Sequence, residues 1–230
     1  MPAPLNLPVQ AAAKSVLAQL VNHITPNSTE ASIVRIAADM LTQLGYPDTW
    51  YYDCPAFVLL GSRSLASVSG RGYQPSEEAV GLRNLVTVDL SPRSGTVWGD
   101  CARSFYVEDG ICRTMPLGDD FTRGYVAEQS LHDIMLRFVH PETTFNDLYE
   151  LANESIIDAG FENLDFLGNV GHSICERRDQ RLYIESGNNR RLGEVTCFTF
   201  EPHIRLRAGK WGYKHENIYY FDDDGAPCEL

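Results

Sequence analysis

The chain has 230 residues, 43% of them apolar, which is enough material for a packed core and excludes a disordered chain. Nineteen basic residues stand against thirty-one acidic ones, for a net charge of -12. That balance argues against nucleic acid or anionic lipid as the main partner, because both require a positive footprint, while leaving room for a small local basic patch.

Apolar spacing predicts a first helix over about Val9–Val21. Pro26, Ser28 and Thr29 mark the start of a second, with Thr29 able to accept from an orphan N–H of the first turn. Its apolar stripe runs through Ile33, Ile36, Met40, Leu41 and Leu44, and Gly45 sits where a left-handed C-terminal residue is wanted. Leu85–Leu90 and Thr96–Val107 then read as strands, joined by the turn sequence Ser91–Gly95. A hairpin centred between Ser94 and Gly95 sets Asp89 opposite Asp100. Like charges in one cross-strand slot destabilise a sheet and Asp is a poor strand residue, so this pair points to a cation between them.

Two more helices follow, over about Phe121–Phe138 and from Thr144 to Gly160. His172 lies in a Gly-flanked apolar stretch, where a single His is more often a satisfied core residue than a ligand. Glu194–Glu201 and Trp211–Phe221 are strand-like, and a hairpin centred between Ala208 and Gly209 sets Glu201 opposite Glu216. Cys101, next to Asp100 on a strand, is expected to face away from it into the core.

The two halves repeat each other. Ile24–Tyr46 aligns without a gap on Val139–Phe161, an offset of 115 residues between Ile24 and Val139. Pro26 meets Pro141, Thr29 meets Thr144, Ala37 meets Ala152 and Gly45 meets Gly160. The expected architecture is α+β: one domain over residues 1–230, in halves of about 8–115 and 121–230, each reading helix, helix, strands. A pseudo-two-fold axis would bring both acid pairs to the junction of the halves.

These residues resemble a known family, the pita-bread metallopeptidases, which include methionine aminopeptidases, Xaa-Pro aminopeptidases, prolidases and creatinase-like relatives. The strand Val86–Leu90 followed by Trp98–Arg103 resembles the family's V-x-D and G-x-D-x-x-R segments. Gly171-His172, Phe198-Thr199-Phe200-Glu201-Pro202 and Lys214-His215-Glu216-Asn217 resemble its G-H, F-T-x-E-P and basic-x-E-D/N motifs. The likeness runs from about residue 10 to Leu230, without the extra N-terminal domain of prolidase-like members. It implies the pita-bread fold, with a curved antiparallel sheet, and a dinuclear metal site held by Asp89, Asp100, His172, Glu201 and Glu216. It also implies a proton-shuttling role for Glu201. Two divalent ions would cancel the charge of four carboxylates, and this oxygen-rich donor set with one imidazole suits Mn, Fe, Co or Zn.

The chain departs from the family around that core. Where active peptidases carry a His upstream of the first metal Asp, the stretch Ser67–Tyr73 has Arg71. Seven residues after His172 stands Asp179, and four before it Gly168. Arg71 and His203 are the candidate substrate-binding replacements. The leading expectation is a hydrolase whose metal-activated water attacks an amide or peptide carbonyl of a small molecule or short peptide. The alternatives are non-peptidase chemistry at the same site, including iron-dependent redox chemistry on a small metabolite, and a non-catalytic scaffold. No run reaches the ~18 apolar residues of a membrane span, and no basic-then-apolar leader is seen between Met1 and Lys14. The six cysteines form no C-x-x-C pair and read as reduced thiols. A cytoplasmic protein without a membrane partner is expected, with a homodimer left open.

Overall fold

The computed structural model describes residues 4–230. Pro8 opens α1 (Leu7–Leu20), whose missing N–H costs nothing in a first turn. The second helix, α2 (Glu30–Gln43), begins with a reciprocal cap: Thr29 Oγ1 accepts from Ser32 N at 3.1 Å, and Ser32 Oγ accepts from Thr29 N at 2.8 Å. Seven strands complete the first half: β1 (Asp48–Thr49), β2 (Ala56–Leu60), β3 (Asn84–Leu90), β4 (Pro92–Ser94), β5 (Val97–Trp98), β6 (Cys101–Glu108) and β7 (Ile111–Arg113). The chain then repeats two helices, α3 (Asp119–Phe138) and α4 (Phe145–Asp158). Thr144 and Asp147 cap α4 as Thr29 and Ser32 cap α2, and Gly45 and Gly160 end the pair at φ +89° and +82°. Residues 115 apart thus do the same work in each half. The second half closes with β8 (Phe161–Asn163), β9 (Ser173–Ile174), β10 (Cys197–Phe200), β11 (His203–Leu206), β12 (Gly212–Lys214), β13 (Asn217–Phe221) and β14 (Pro227–Glu229).

All strand pairings are antiparallel. In the first half the order is β2-β3-β6-β7, with a small side sheet β1-β4-β5. In the second the orders are β14-β13-β10-β9 and β12-β11-β8. Alternation along the strands separates core from site. Val86, Val88 and Leu90 of β3 pack with Val58, Phe105, Ile33 and Leu41 under α1 and α2. Phe198 and Phe200 of β10 pack with Phe145, Leu148 and Ile156 under α3 and α4. The residues between them, Thr87 and Asp89 on β3 and Thr199 on β10, point the other way. A third, smaller core of Trp50, Trp98, Ile174, Cys197 and Ile218 lies where the halves meet.

One register differs from expectation. Asp89 pairs with Ala102, not Asp100, while Leu90 pairs with Cys101 and Ser94 with Val97. The hairpin centre is therefore Gly95-Thr96, one residue later on the chain than anticipated, with Gly95 at φ +62°. The shift arises because β4 leaves the main sheet to pair with β1, which period-two alternation does not reveal. Partners therefore shift by two residues, which keeps Asp100 on the same face as Asp89, so the two carboxylates still converge. The second-half register is as expected: Phe200 pairs with Asn217 and His203 with Lys214, which leaves Glu201 and Glu216 facing each other between them.

Candidate metal centre at the junction of the halves

Five elements deliver the predicted side chains to one place. Asp89 comes from the end of β3. Asp100 precedes β6, and Gln10 of α1 holds its backbone: Gln10 Oε1 accepts from Asp100 N at 2.8 Å, and Gln10 Nε2 donates to Asp100 O at 2.9 Å. His172 is carried by a backbone only glycine permits. Gly171 has φ +148°, and a Cβ there would stand 2.3 Å from Thr199 O. Thr199 fixes the histidine's main chain, accepting at Oγ1 from His172 N at 3.0 Å and donating its own N–H to His172 O at 2.7 Å. Glu201 follows β10, and Glu216 lies between β12 and β13. The halves are joined at Glu216, whose N–H donates to Ala102 O at 3.0 Å and whose carbonyl accepts from Arg103 Nη1 at 2.6 Å.

The donor atoms converge in two overlapping groups, Asp100 with His172 and Glu216, and Asp89 with Glu201 and Glu216, each with its atoms within 4.8 Å of one another. His172 Nδ1 lies 3.0 Å from the Ser173 carbonyl, which can only accept, so the ring hydrogen sits there and Nε2 presents a lone pair inward. That Nε2 is 3.4 Å from Asp100 Oδ2 and 3.6 Å from Glu201 Oε1. Burial, reinforced by the charge of Arg181, pushes the His172 imidazole down to about 3, so it stays neutral and able to ligate. Burial, with the charges of the neighbouring carboxylates added, holds Asp100 and Glu216 well above the usual range. Asp100 Oδ2 and both Glu216 oxygens are buried without a hydrogen-bond partner. Acid oxygens left bare in this way beside a neutral imidazole are what a divalent ion satisfies, so the residues fit a metal.

One cation sits among them. Lys214 Nζ is 2.7 Å from Asp89 Oδ2 and 3.0 Å from Glu201 Oε2. Burial alone would lower this ammonium, but the charges of Asp89, Glu201 and Glu216 outweigh it and hold it well above its ordinary value.

Asp89, Asp100, His172 and Glu201 line a cavity of about 580 Å3, together with Trp50, Phe57, Leu59, Ser67 and Arg181, and Glu216 lies behind them. The two predicted substrate-binding residues fare differently. His203 lines the cavity, but it is buried and its Nε2 is spent on Ser64 O at 2.7 Å. Arg71 does not line it: the guanidinium is exposed and lies over the Tyr52 ring, 5.0 Å from its centroid. The cavity arginine is Arg181, held 5.1 Å from the centroids of both Trp50 and Tyr183, with Nε donating to Arg178 O. Among the described residues it makes no ion pair. Gln10, Thr199, Arg181 and the contact made by Lys214 were not anticipated from sequence. For Lys214 the signal was present, as the basic position of the basic-x-E-N stretch. Cys101 is buried, with Sγ against Glu216 O, as expected for a core thiol. Asp179 is exposed and paired with Arg177. No helix of the described residues is long and apolar enough to cross a membrane.

Comparison with known proteins agrees with this architecture. The X-Pro aminopeptidase of Thermotoga maritima superposes with a TM-score of 0.78 at 19% identity, over 96% of this chain and 58% of that one. The prolidase of Pyrococcus furiosus gives 0.78 at 17% identity, over 98% and 62%. The methionine aminopeptidase of Rickettsia prowazekii gives 0.72 at 14% identity, over 97% and 95%. The chain thus spans about three-fifths of the length of the first two and nearly all of the third. No curated protein matches it. The model of metallopeptidase family M24 matches residues 8–223, and with the pita-bread fold in place the chain belongs to that family.

Proposed function

We propose that the protein is a metal-dependent hydrolase of amide bonds in small, anionic substrates, with Asp89, Asp100, His172, Glu201 and Glu216 as the residues that hold two divalent ions. One observation carries the reading: three buried carboxylate oxygens of Asp100 and Glu216 without hydrogen-bond partners, beside the neutral Nε2 of His172, with Asp100 and His172 lining an open cavity. Ions bound there would supply Lewis acidity and a water acidic enough to attack at neutral pH. Glu201 accepts from Thr199 Oγ1 at 3.3 Å and lies at the cavity wall, where it would take the proton of the attacking water and return it to the leaving nitrogen. Arg181, propped between two rings and without an ion-pair partner among the described residues, offers its fork to a carboxylate on the substrate. The exposed rim residues Val68, Phe166 and Leu167 suit an apolar group on the same molecule.

Non-peptidase chemistry at this centre is the second reading. It is favoured by the cavity's histidines: only His172 and His203 line it among the described residues, and His203 is already bonded to Ser64. Protein reconstituted with Mn, Fe or Co, assayed on dipeptides, dipeptide amides and N-acyl amino acids, tests the hydrolase. Chelator-sensitive cleavage that Asp100→Asn abolishes is expected. A metal-replete protein that cleaves none of them contradicts it and leaves the second reading.

A further inference from the structure

A second cavity, of about 370 Å3, lies between α1 of the first half and α3 of the second. It runs from the exposed Met115 to the buried Tyr106 and Glu128, with Leu17 and Tyr125 along its walls. Glu128 is 2% exposed, and neither of its oxygens has a hydrogen-bond partner. The cations of the lining are committed elsewhere. Lys14 pairs with Glu229 at 2.6 Å, Lys214 pairs with Asp89 and Glu201, and Arg103 donates to the Glu216 carbonyl and to Asn217 Oδ1. Among the described residues none makes an ion pair with Glu128. The fold does not require an acid at this place. With the 115-residue offset carried through the first helix of each half, Ala12, Val16 and Leu20 meet Ala127, Leu131 and Met135, and the buried Ala13 meets Glu128. One half is served by an alanine, whereas the other carries a carboxylate whose burial is costly unless a charge arrives to meet it.

We propose that this cavity is a second ligand site, separate from the acid cluster, and that it takes a small organic ammonium ion whose charge Glu128 meets. Tyr106 and Tyr125 form an aromatic corner, with centroids 6.2 Å apart and planes at 86°, that suits the cation and its alkyl part. Leu17 and Met115 extend the apolar wall toward the mouth. A metal ion does not fit the same place. It requires several donors, and the converging groups of three His, Cys, Asp or Glu side chains among the described residues all belong to the junction cluster. An ammonium ion needs only one carboxylate and the face of a ring. This site stands whether or not the acid cluster works as a hydrolase.

Calorimetric titration of hexylammonium chloride into the protein, with hexanol as its neutral match, tests this. Wild type should bind one hexylammonium ion per chain, at least about tenfold more tightly than hexanol. Glu128→Gln, which keeps the shape and removes the charge, should weaken hexylammonium binding at least about tenfold, with its circular dichroism unchanged. Asp100→Asn should bind hexylammonium as wild type does. Equal binding of hexanol and hexylammonium, or a folded Glu128→Gln that binds as tightly as wild type, would overturn the proposal. Binding lost in Asp100→Asn would also overturn it, by placing the ion among the junction acids. No binding to wild type at millimolar hexylammonium would leave Glu128 a buried carboxyl without a ligand and refute the site. Should Glu128→Gln fail to fold, the comparison of hexylammonium with hexanol decides.

Discussion

Glu128 of α3 shows what an unpartnered charge costs when no second charge is near enough to satisfy it. It is 2% exposed, and neither carboxylate oxygen has a hydrogen-bond partner. Burial pushes its carboxyl well above the ordinary value, only partly offset by the charge of Lys214. A raised folded-state value means that burial is free of charge cost below the unfolded value near 4.5 and becomes costlier as pH climbs toward the folded value. Glu128→Gln should therefore stabilise the protein by about 1–3 kcal/mol at pH 7–8, with the gain fading toward pH 4.5. Denaturant melts of both proteins across that range would show it, and a gain that does not change with pH would refute it. Arg181 is the corresponding case at the cavity. Arg181→Met should raise KM for carboxylate-bearing substrates about 10–100-fold with kcat nearly unchanged, and leave the matching amides alone. Equal effects on acids and amides would show that the arginine only balances the charge of the acid cluster. Neither residue stands out in the sequence, because a lone Glu in a helix and one Arg among several in a loop carry no pattern.

At the level of elements, local chemistry was more legible than register. The caps of α2 and α4 follow from Pro, Thr and Gly punctuation because each is satisfied within a few residues. The Glu201–Glu216 register was readable because β11 and β12 are joined by a short turn, so the turn fixes the pairing. The Asp89–Asp100 pairing was misplaced because β4 is drawn off by β1, more than forty residues earlier, and no local signal encodes that contact. His172 looked ambiguous in isolation. Its environment resolves it, since Gly171 lets Thr199 grip the main chain on both sides. Gly171→Ala would force a Cβ onto Thr199 O and require a backbone conformation that alanine resists. It should cost roughly 1–3 kcal/mol and weaken metal retention with it. A variant with wild-type stability and metal content would show that the grip is dispensable.

Across the whole molecule, the duplication explains where the site lies. Each half has its own helices over its own core, and the acids occupy the faces those cores leave uncovered. Three of the bonds that cross between the halves lie beside the acids: Ala102 with Glu216, Arg103 with Asn217, and Ser104 with Lys214. Fold class, repeat and the five acid and imidazole side chains were readable in the sequence because they sit at spaced motifs. Lys214 as an occupant of the cluster and Arg181 as the cavity cation were not, because both depend on how the lobes close. Whether that junction holds metal is tested most directly by the metal content of purified, dialysed protein. Wild type should carry at least about one transition-metal equivalent per chain, and Asp100→Asn far less with its fold intact. A wild-type protein that arrives without metal and takes none up, or an Asp100→Asn variant that keeps a full complement, would contradict it.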